Sequence, residues 1–320
     1  MISRVVVKSP ATIANLGPGF DVVAAAIEGL YDVVEVSVLP GGGEVIVESR
    51  GFNVPSGRYN VAYHVAKHFI ERYLEKRSVD IHIVVNKGVP PACGLGSSGA
   101  TSAAVAFALS VLFKDVHLSV RELLELARVG EAFVAGSPHY DNVAASLFGG
   151  FIILDLLNLK VYRYTPRRAI PVGIVIPRLP HTSEFRKTAY ARSILPAEVA
   201  LEAHVKQAST LAKLIYAILT EDLRLLGEAV STDLIVEPHR SKLIPYYHEL
   251  KQLALSEGAY GFNICGAGPA VFLIHEDPAK LRAIVEKLRL TLQLKGVEAE
   301  ALTTFISSRG VDVIEVVQKA

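Results

Sequence analysis

Residues 90–100 read Pro90-Pro91-Ala92-Cys93-Gly94-Leu95-Gly96-Ser97-Ser98-Gly99-Ala100, and the dozen positions after them, through Phe113, are almost all small or apolar. A glycine turn opening into a buried helix presents several backbone N–H groups on one concave side. The helix dipole adds partial positive charge at the same place, which suits a phosphate. A glycine-rich turn that merely enters a helix looks the same in sequence, so the pattern is not specific by itself. The rest of the chain has to decide.

Asp80–Val85 alternates like a strand and delivers the chain to the turn, giving a strand, turn, helix unit. Upstream, strand-like stretches cover Arg4–Lys8, Val33–Leu39 and Glu44–Glu48, and Pro40-Gly41-Gly42-Gly43 predicts a hairpin between the last two. Asn60 to Lys76 has helical spacing. Downstream, Ser119-Val120-Arg121-Glu122 is a capping box for a helix running to about Ala135. Asn142 to Leu154 returns to buried strand character through Gly149-Gly150. A polar passage from Asp155 to Arg168 marks entry into a second half. That half opens with a strand near Val172–Ile176, continues with helices over Ala197–Leu219 and Leu223–Ser231, and alternates strands and helices from Ala259 onward. A two-domain α+β sandwich is the predicted class.

With 320 residues, 51% of them apolar, the chain can fill two cores. Lys+Arg 33 against Asp+Glu 32 leaves no charge excess, and no dense basic run or aromatic ladder suits a nucleic-acid backbone. The sequence has no signal-peptide core and no run of eighteen apolar residues, so a soluble, cytoplasmic protein is expected with neither nucleic acid nor membrane as partner. Cys93 and Cys265 are the only cysteines and lack metal-ligand spacing, which points to small buried thiols.

The turn lacks the lysine of a P-loop, so charge on a bound polyphosphate has to be met by N–H groups and a metal ion. Mg²⁺ takes one or two protein oxygens beside phosphate oxygens and water. Ser98 offers a hydroxyl. Glu131, on the apolar line of Val120, Leu124, Ala127 and Val134, offers a carboxylate whose burial calls for a partner, a salt bridge being the alternative to a metal. Asp141 and Asn142 follow His139-Tyr140 at an element end. Asn15 and Asp21 flank the sharp reversal of Gly17-Pro18-Gly19. Thr188 and Arg192 are four apart and share a face if that segment is helical. Thr182 and Arg186 are also four apart and compete with them. Two arginines, Arg192 and Arg240, converging on one pocket would take a carboxylate, and Asp21 could take an ammonium group. That is the charge pattern of an amino acid.

Together these segments resemble the GHMP kinase family and, within it, the homoserine kinases. The motifs are Ser9-Pro-Ala-Thr-Ile-Ala-Asn-Leu-Gly-Pro-Gly-Phe-Asp21, Pro90-x-x-x-Gly-Leu-Gly-Ser-Ser98 and Cys265-Gly-Ala-Gly-Pro269. Between them come His139-Tyr-Asp-Asn142, Thr188-x-x-x-Arg192 followed by Ile-Leu-Pro, and Asp233-Leu-Ile-Val-Glu-Pro-His-Arg240. The resemblance implies a domain like ribosomal protein S5 domain 2 over residues 1–160 and a ferredoxin-like domain over residues 161–320. It implies transfer of the ATP γ-phosphate to the hydroxyl of L-homoserine, with Mg²⁺, in a homodimer. By position, residues 90–100 would hold the phosphates, and Ser98 and Glu131 the metal. Arg192 and Arg240 would hold the substrate carboxylate, and Asn15 and Asp21 its amino group, with Thr188 and His139 nearby. Asn142 would orient the attacking hydroxyl, Asp141 standing as the alternative general base, and Asn60 and Lys87 would touch the nucleotide. Two rivals remain: another kinase of the superfamily acting on mevalonate or shikimate, and a catalytically silent sensor.

Overall fold

The computed structural model describes residues 2–74, 79–135, 139–179 and 184–318. The first half runs β1 (Ile2–Ala14), β2 (Val23–Pro40), β3 (Val45–Gly51), α1 (Val61–Tyr73), β4 (Val79–Lys87), α2 (Ser97–Leu112), α3 (Val120–Ala135), α4 (Asp141–Phe148), β5 (Phe151–Asp155) and β6 (Lys160–Tyr164). The second runs β7 (Pro171–Pro177), α5 (Glu184–Ser193), α6 (Leu201–Thr220), α7 (Leu223–Val230), α8 (Glu237–Arg240), α9 (Tyr247–Ser256), β8 (Gly261–Ile264), β9 (Val271–Ile274), α10 (Pro278–Leu294), β10 (Ala299–Phe305) and β11 (Asp312–Gln318). Among the described residues these strands form a seven-stranded sheet ordered β11-β1-β2-β4-β3, with β5 on β2 and β6 on β5, and a four-stranded sheet ordered β10-β7-β9-β8.

Side-chain alternation along the strands divides the interior into three cores. Val5, Val7, Ala14, Ala24, Val34 and Val36 enter the core beneath α1, α2, α3 and α4. Ile13, Val23, Ala25 and Ile27, on the opposite face, join Val172, Ile174 and Phe272 of the second sheet and Leu214 and Leu226 of α6 and α7. Val175, Val271 and Leu273 turn the other way, onto Leu250 of α9 and Leu281 and Leu288 of α10. The middle core thus joins the two halves through fully buried aliphatic side chains, each contributing about 1.5–3 kcal/mol. Helix α2 is buried nearly all round because Gly, Ala and Ser leave room for neighbours on every side.

Two expectations need correction. The glycine stretch after Pro40 does not close a hairpin. Strand β4 lies between β2 and β3, antiparallel to the former and parallel to the latter. The Asp80 side chain draws the connection across, accepting from Gly43 N–H at 3.0 Å and Glu44 N–H at 2.8 Å. Residues 142–148 are helical rather than extended. An apolar run this short suits either state, and Ala144-Ala145 with Asp141 in the first turn favours the helix. Strand β6 pairs with β5, and β11 returns from the second half to pair with β1.

Candidate active site

The turn before α2 behaves as its composition requires. Gly94 (φ +88°) and Gly96 (φ +67°) take left-handed conformations. A Cβ on Gly94 would lie 2.1 Å from the Cys265 carbonyl oxygen, and one on Gly96 would lie 1.9 Å from Thr12 Oγ1. Backbone hydrogen bonds join the three motifs: Thr12 N–H to Leu95 O at 3.0 Å, Ala270 N–H to Cys93 O at 3.0 Å, and Gly266 N–H to Ala14 O at 3.3 Å. Cys93, Leu95 and Ala100 pack into the apolar core, so only part of the 90–100 stretch lines a cavity. The first bond of α2 runs from Ala100 N–H to Gly96 O, which leaves the N–H groups of Ser97, Ser98 and Gly99 without an intrahelical acceptor.

The turn opens onto a solvent-open cleft. Gly94, Gly96, Ser97 and Ser98 form one wall, the loop Gly266–Gly268 another, and Asn15, Asp21, Glu131, His139, Asp141, Asn142, Thr188 and Arg240 line the remainder. Most of the expected set, drawn from both halves of the chain, therefore meets at one place.

The N-terminal loop is held in strained backbone: Asn15, Leu16 and Asp21 have φ of +74°, +46° and +60°. Each such residue costs on the order of 1–3 kcal/mol and persists only when its surroundings enforce it. Here Asn15 Oδ1 accepts from Asp21 N–H at 3.1 Å, and Asn15 Nδ2 donates to Gly266 O at 3.2 Å. The result aims the Asp21 carboxylate at the Arg192 guanidinium, Nη1 at 2.6 Å, and the His139 imidazole, Nδ1 at 3.2 Å. Burial pushes the Asp21 carboxyl up, but His139 and Arg192 outweigh it and hold the carboxyl below its ordinary value. Burial likewise pulls His139 down, and the hydrogen bond to Asp21 raises it overall.

Thr188 and Arg192 both lie on α5, as their spacing requires. Thr188 lines the cavity, and Arg192 reaches it through Asp21. Thr182 lies outside the described residues, as does the side chain of Arg186. Arg240 is delivered by α8, whose start is fixed by Asp233 accepting from Ile235, Val236 and Glu237 N–H, each at 3.0 Å. Its guanidinium donates to Gly266 O at 2.9 Å and Ala191 O at 3.2 Å, and burial lowers its pKa to about 10, so it stays charged near neutrality. Arg192 and Arg240 converge: their guanidinium carbons lie 5.1 Å and 5.0 Å from the Phe20 ring centroid.

Asn142 sits in the first turn of α4, its Oδ1 accepting from Thr12 Oγ1 at 2.7 Å. Beside it Asp141 accepts from Asn142 N–H at 2.8 Å, and burial, reinforced by the charge of Asp21, raises the Asp141 pKa. Ser98 and the buried Glu131 line the same cavity. A hydroxyl and a carboxylate beside a polyphosphate turn are hard oxygen donors of the type Mg²⁺ prefers, so the residues fit that ion. No cluster of three or more His, Cys, Asp or Glu suited to a metal occurs among the described residues.

A second, neighbouring cleft shares Ser98 and is lined by Val54, Pro55, Tyr59 and Val61 together with Asn60 and Lys87. The last two do not offer it their polar atoms. Asn60 caps α1 through Ala62 N–H at 2.9 Å and donates to Ser49 Oγ at 2.9 Å and Pro55 O at 2.7 Å. Lys87 Nζ points into the protein, onto Asp32, Ser97 O and Thr101. Both residues line this cavity while their side-chain polar atoms bond within the protein. Sequence reasoning did not assign roles to Thr12 and Asp32. The second had a signal, an acidic residue inside the otherwise apolar run Tyr31-Asp32-Val33-Val34.

With this geometry in place, comparison with known proteins is direct. Residues 60–150 match the GHMP kinases N terminal domain and residues 214–293 the GHMP kinases C terminal domain. A homoserine kinase of Methanococcus maripaludis is 40% identical over 278 residues, covering 85% of this chain and 88% of that protein. The chain belongs to the homoserine kinases of the GHMP kinase family. A homoserine kinase of Pyrococcus horikoshii is 36% identical and covers 94% of this chain and 97% of its own. The crystal structure of a homoserine kinase from Cytophaga hutchinsonii superposes with a TM-score of 0.87 at 30% identity, covering 98% of both chains. The two-domain GHMP kinase fold accounts for both sheets. Among the described residues no helix is long and apolar enough to cross a membrane.

Proposed function

We propose that this protein transfers the γ-phosphoryl group of ATP to the side-chain hydroxyl of L-homoserine, giving O-phospho-L-homoserine on the route to threonine. One observation carries the reading. The N–H-rich turn at 94–98 opens onto the same cavity as Asp21 and Arg240, so a polyphosphate site and the charges complementary to a zwitterion share one space. Mevalonate and shikimate carry no ammonium group to place against Asp21.

In this reading the amino acid's ammonium lies toward Asp21 and Asn15, with His139 and Thr188 alongside. Its carboxylate takes Arg240 and Arg192, where guanidinium forks make paired charge-assisted bonds. The side-chain hydroxyl is then directed to Asn142, which orients it without removing its proton. Phosphoryl transfer passes through a loose transition state in which the hydroxyl proton need not leave early, so alignment and electrostatics supply most of the acceleration. The N–H groups of Ser97, Ser98 and Gly99 stabilise charge developing on the phosphate oxygens. Ser98 and Glu131 would hold Mg²⁺, which when bound neutralises phosphate charge. Asp141, buried and with a raised pKa, is the alternative base. The nucleotide's base and sugar fit the neighbouring cavity that shares Ser98. The likeness to homoserine kinases also suggests a cytoplasmic homodimer.

A coupled assay of ATP consumption across homoserine, mevalonate and shikimate tests the reading. Turnover on homoserine supports it. Turnover confined to the other two acceptors, or ATP binding without transfer to any hydroxyl, overturns it.

A further inference from the structure

Behind the phosphate turn lies a closed polar cluster that the reaction does not touch. Lys87 Nζ donates to Asp32 Oδ2 at 2.5 Å, Ser97 O at 2.6 Å and Thr101 Oγ1 at 2.9 Å, which uses all three ammonium protons. Thr101 Oγ1 donates to Asp32 Oδ2 at 2.6 Å, and Asp32 Oδ1 accepts from Gly88 N–H at 3.1 Å and Val89 N–H at 3.0 Å. Ser97 Oγ donates to Val89 O at 3.0 Å. Asp32 is fully buried, and Lys87, Thr101 and Ser97 are nearly so. The cluster ties β2, the end of β4, the entry to the turn and the first two turns of α2 together.

A buried ion pair is a poor source of stability, because apolar residues of similar volume often serve as well or better. What this one does supply is orientation. A trans peptide points its C=O and the following N–H in opposite directions. With Ser97 O fixed on the Lys87 ammonium, the Ser98 N–H is aimed the other way, into the turn, and the Ser98 side chain is held where both cavities meet. Asp32 neutralises the ammonium and, through Gly88 and Val89 N–H, fixes the strand end from which the turn departs.

We propose that Asp32, Lys87 and Thr101 are positioning residues for the phosphate turn, with Asp32 as the keystone, and that Lys87 acts on the nucleotide only through the backbone of Ser97. The proposal rests on reading residues 94–98 as the phosphate site. Thr101→Val keeps the shape and deletes the hydroxyl link, whereas Thr101→Ser keeps the link. We expect Thr101→Val to lower kcat/KM for ATP and to weaken equilibrium ADP binding by roughly tenfold. KM for homoserine should stay within about twofold, and Thr101→Ser should restore both ATP values. The double variant Asp32→Asn, Lys87→Met removes both charges together. It should recover much of the thermal stability lost in Asp32→Asn alone without recovering ATP affinity.

A folded Thr101→Val enzyme with unchanged kcat/KM for ATP and unchanged ADP binding overturns the proposal, as does a double variant that regains ATP affinity along with stability. A wild-type protein that transfers phosphate to no hydroxyl would instead overturn the functional reading, and ADP binding by the variants would still decide the proposal.

Discussion

Arg192 Nη1 lies 2.6 Å from Asp21 Oδ2, so two of the charges assigned to an amino-acid substrate are already paired with each other. An incoming zwitterion matches both members at once, its ammonium on Asp21 and its carboxylate on Arg192 and the nearby Arg240. Arg192→Ala should therefore raise KM for homoserine about 10–100-fold, the worth of a charge-assisted contact, and leave KM for ATP within about twofold. Steady-state kinetics with each substrate varied in turn checks this. An unchanged KM for homoserine would move the role elsewhere on α5.

The His139–Asp21 pair gives the site a pH signature. The His139 pKa is raised in the fold, so its contribution to stability is complete below the ordinary 6.5 and is lost as pH rises through the native value. The Asp21 pKa is lowered, so its contribution is complete above the ordinary 3.8 and is lost as pH falls through the native value. Between those limits both are in force. Asp21→Asn should bring the His139 pKa down, read from the imidazole C–H shift in an NMR titration. A titration identical to wild type would contradict the pairing.

The Thr12 hydroxyl fixes which way Asn142 presents its amide, because donation to Oδ1 leaves Nδ2 on the other side. Thr12→Val should lower kcat about 2–10-fold, the worth of one neutral hydrogen bond, with both KM values little changed. Thr12→Ser should retain activity. If the valine enzyme keeps its kcat, the orientation of Asn142 does not depend on this contact.

Glu131→Gln keeps size and burial while removing the charge that would face Mg²⁺. The Mg²⁺ concentration for half-maximal rate should rise roughly tenfold or more and kcat should fall, with little change in melting temperature. A magnesium titration superimposable on the wild type would return Glu131 to a purely structural part.

The features legible in the sequence are those that neighbours in the chain determine. The turn at 94–98 announces itself by glycines that only a left-handed backbone and a close approach require. The Ser119 cap is visible as Ser119 and Glu122, and the structure closes it with Ser119 N–H on Glu122 Oε2 at 2.9 Å. Thr12 was silent, and the acidic residue in an apolar run that marks Asp32 named no partner, because both roles depend on the pairing of β1, β2 and β4, which is set by distant residues. The crossing of β3 over β4 was hidden for a related reason, since the same glycines close a hairpin or a crossover and Asp80, far along the chain, decides between them. Lys87 was placed beside the nucleotide by resemblance alone, and its buried partner Asp32 lies 55 residues away, beyond the reach of any local motif.

The claim on which the rest depends is that the N-terminus of α2 grips the polyphosphate without a lysine. A crystal structure of the protein with a non-hydrolysable ATP analogue, Mg²⁺ and homoserine tests it most directly. The account predicts phosphate oxygens within hydrogen-bond distance of the N–H groups of Ser97, Ser98 and Gly99, with Lys87 Nζ still on Asp32. A triphosphate seated away from that turn, or held by Lys87 Nζ released from Asp32, would contradict it.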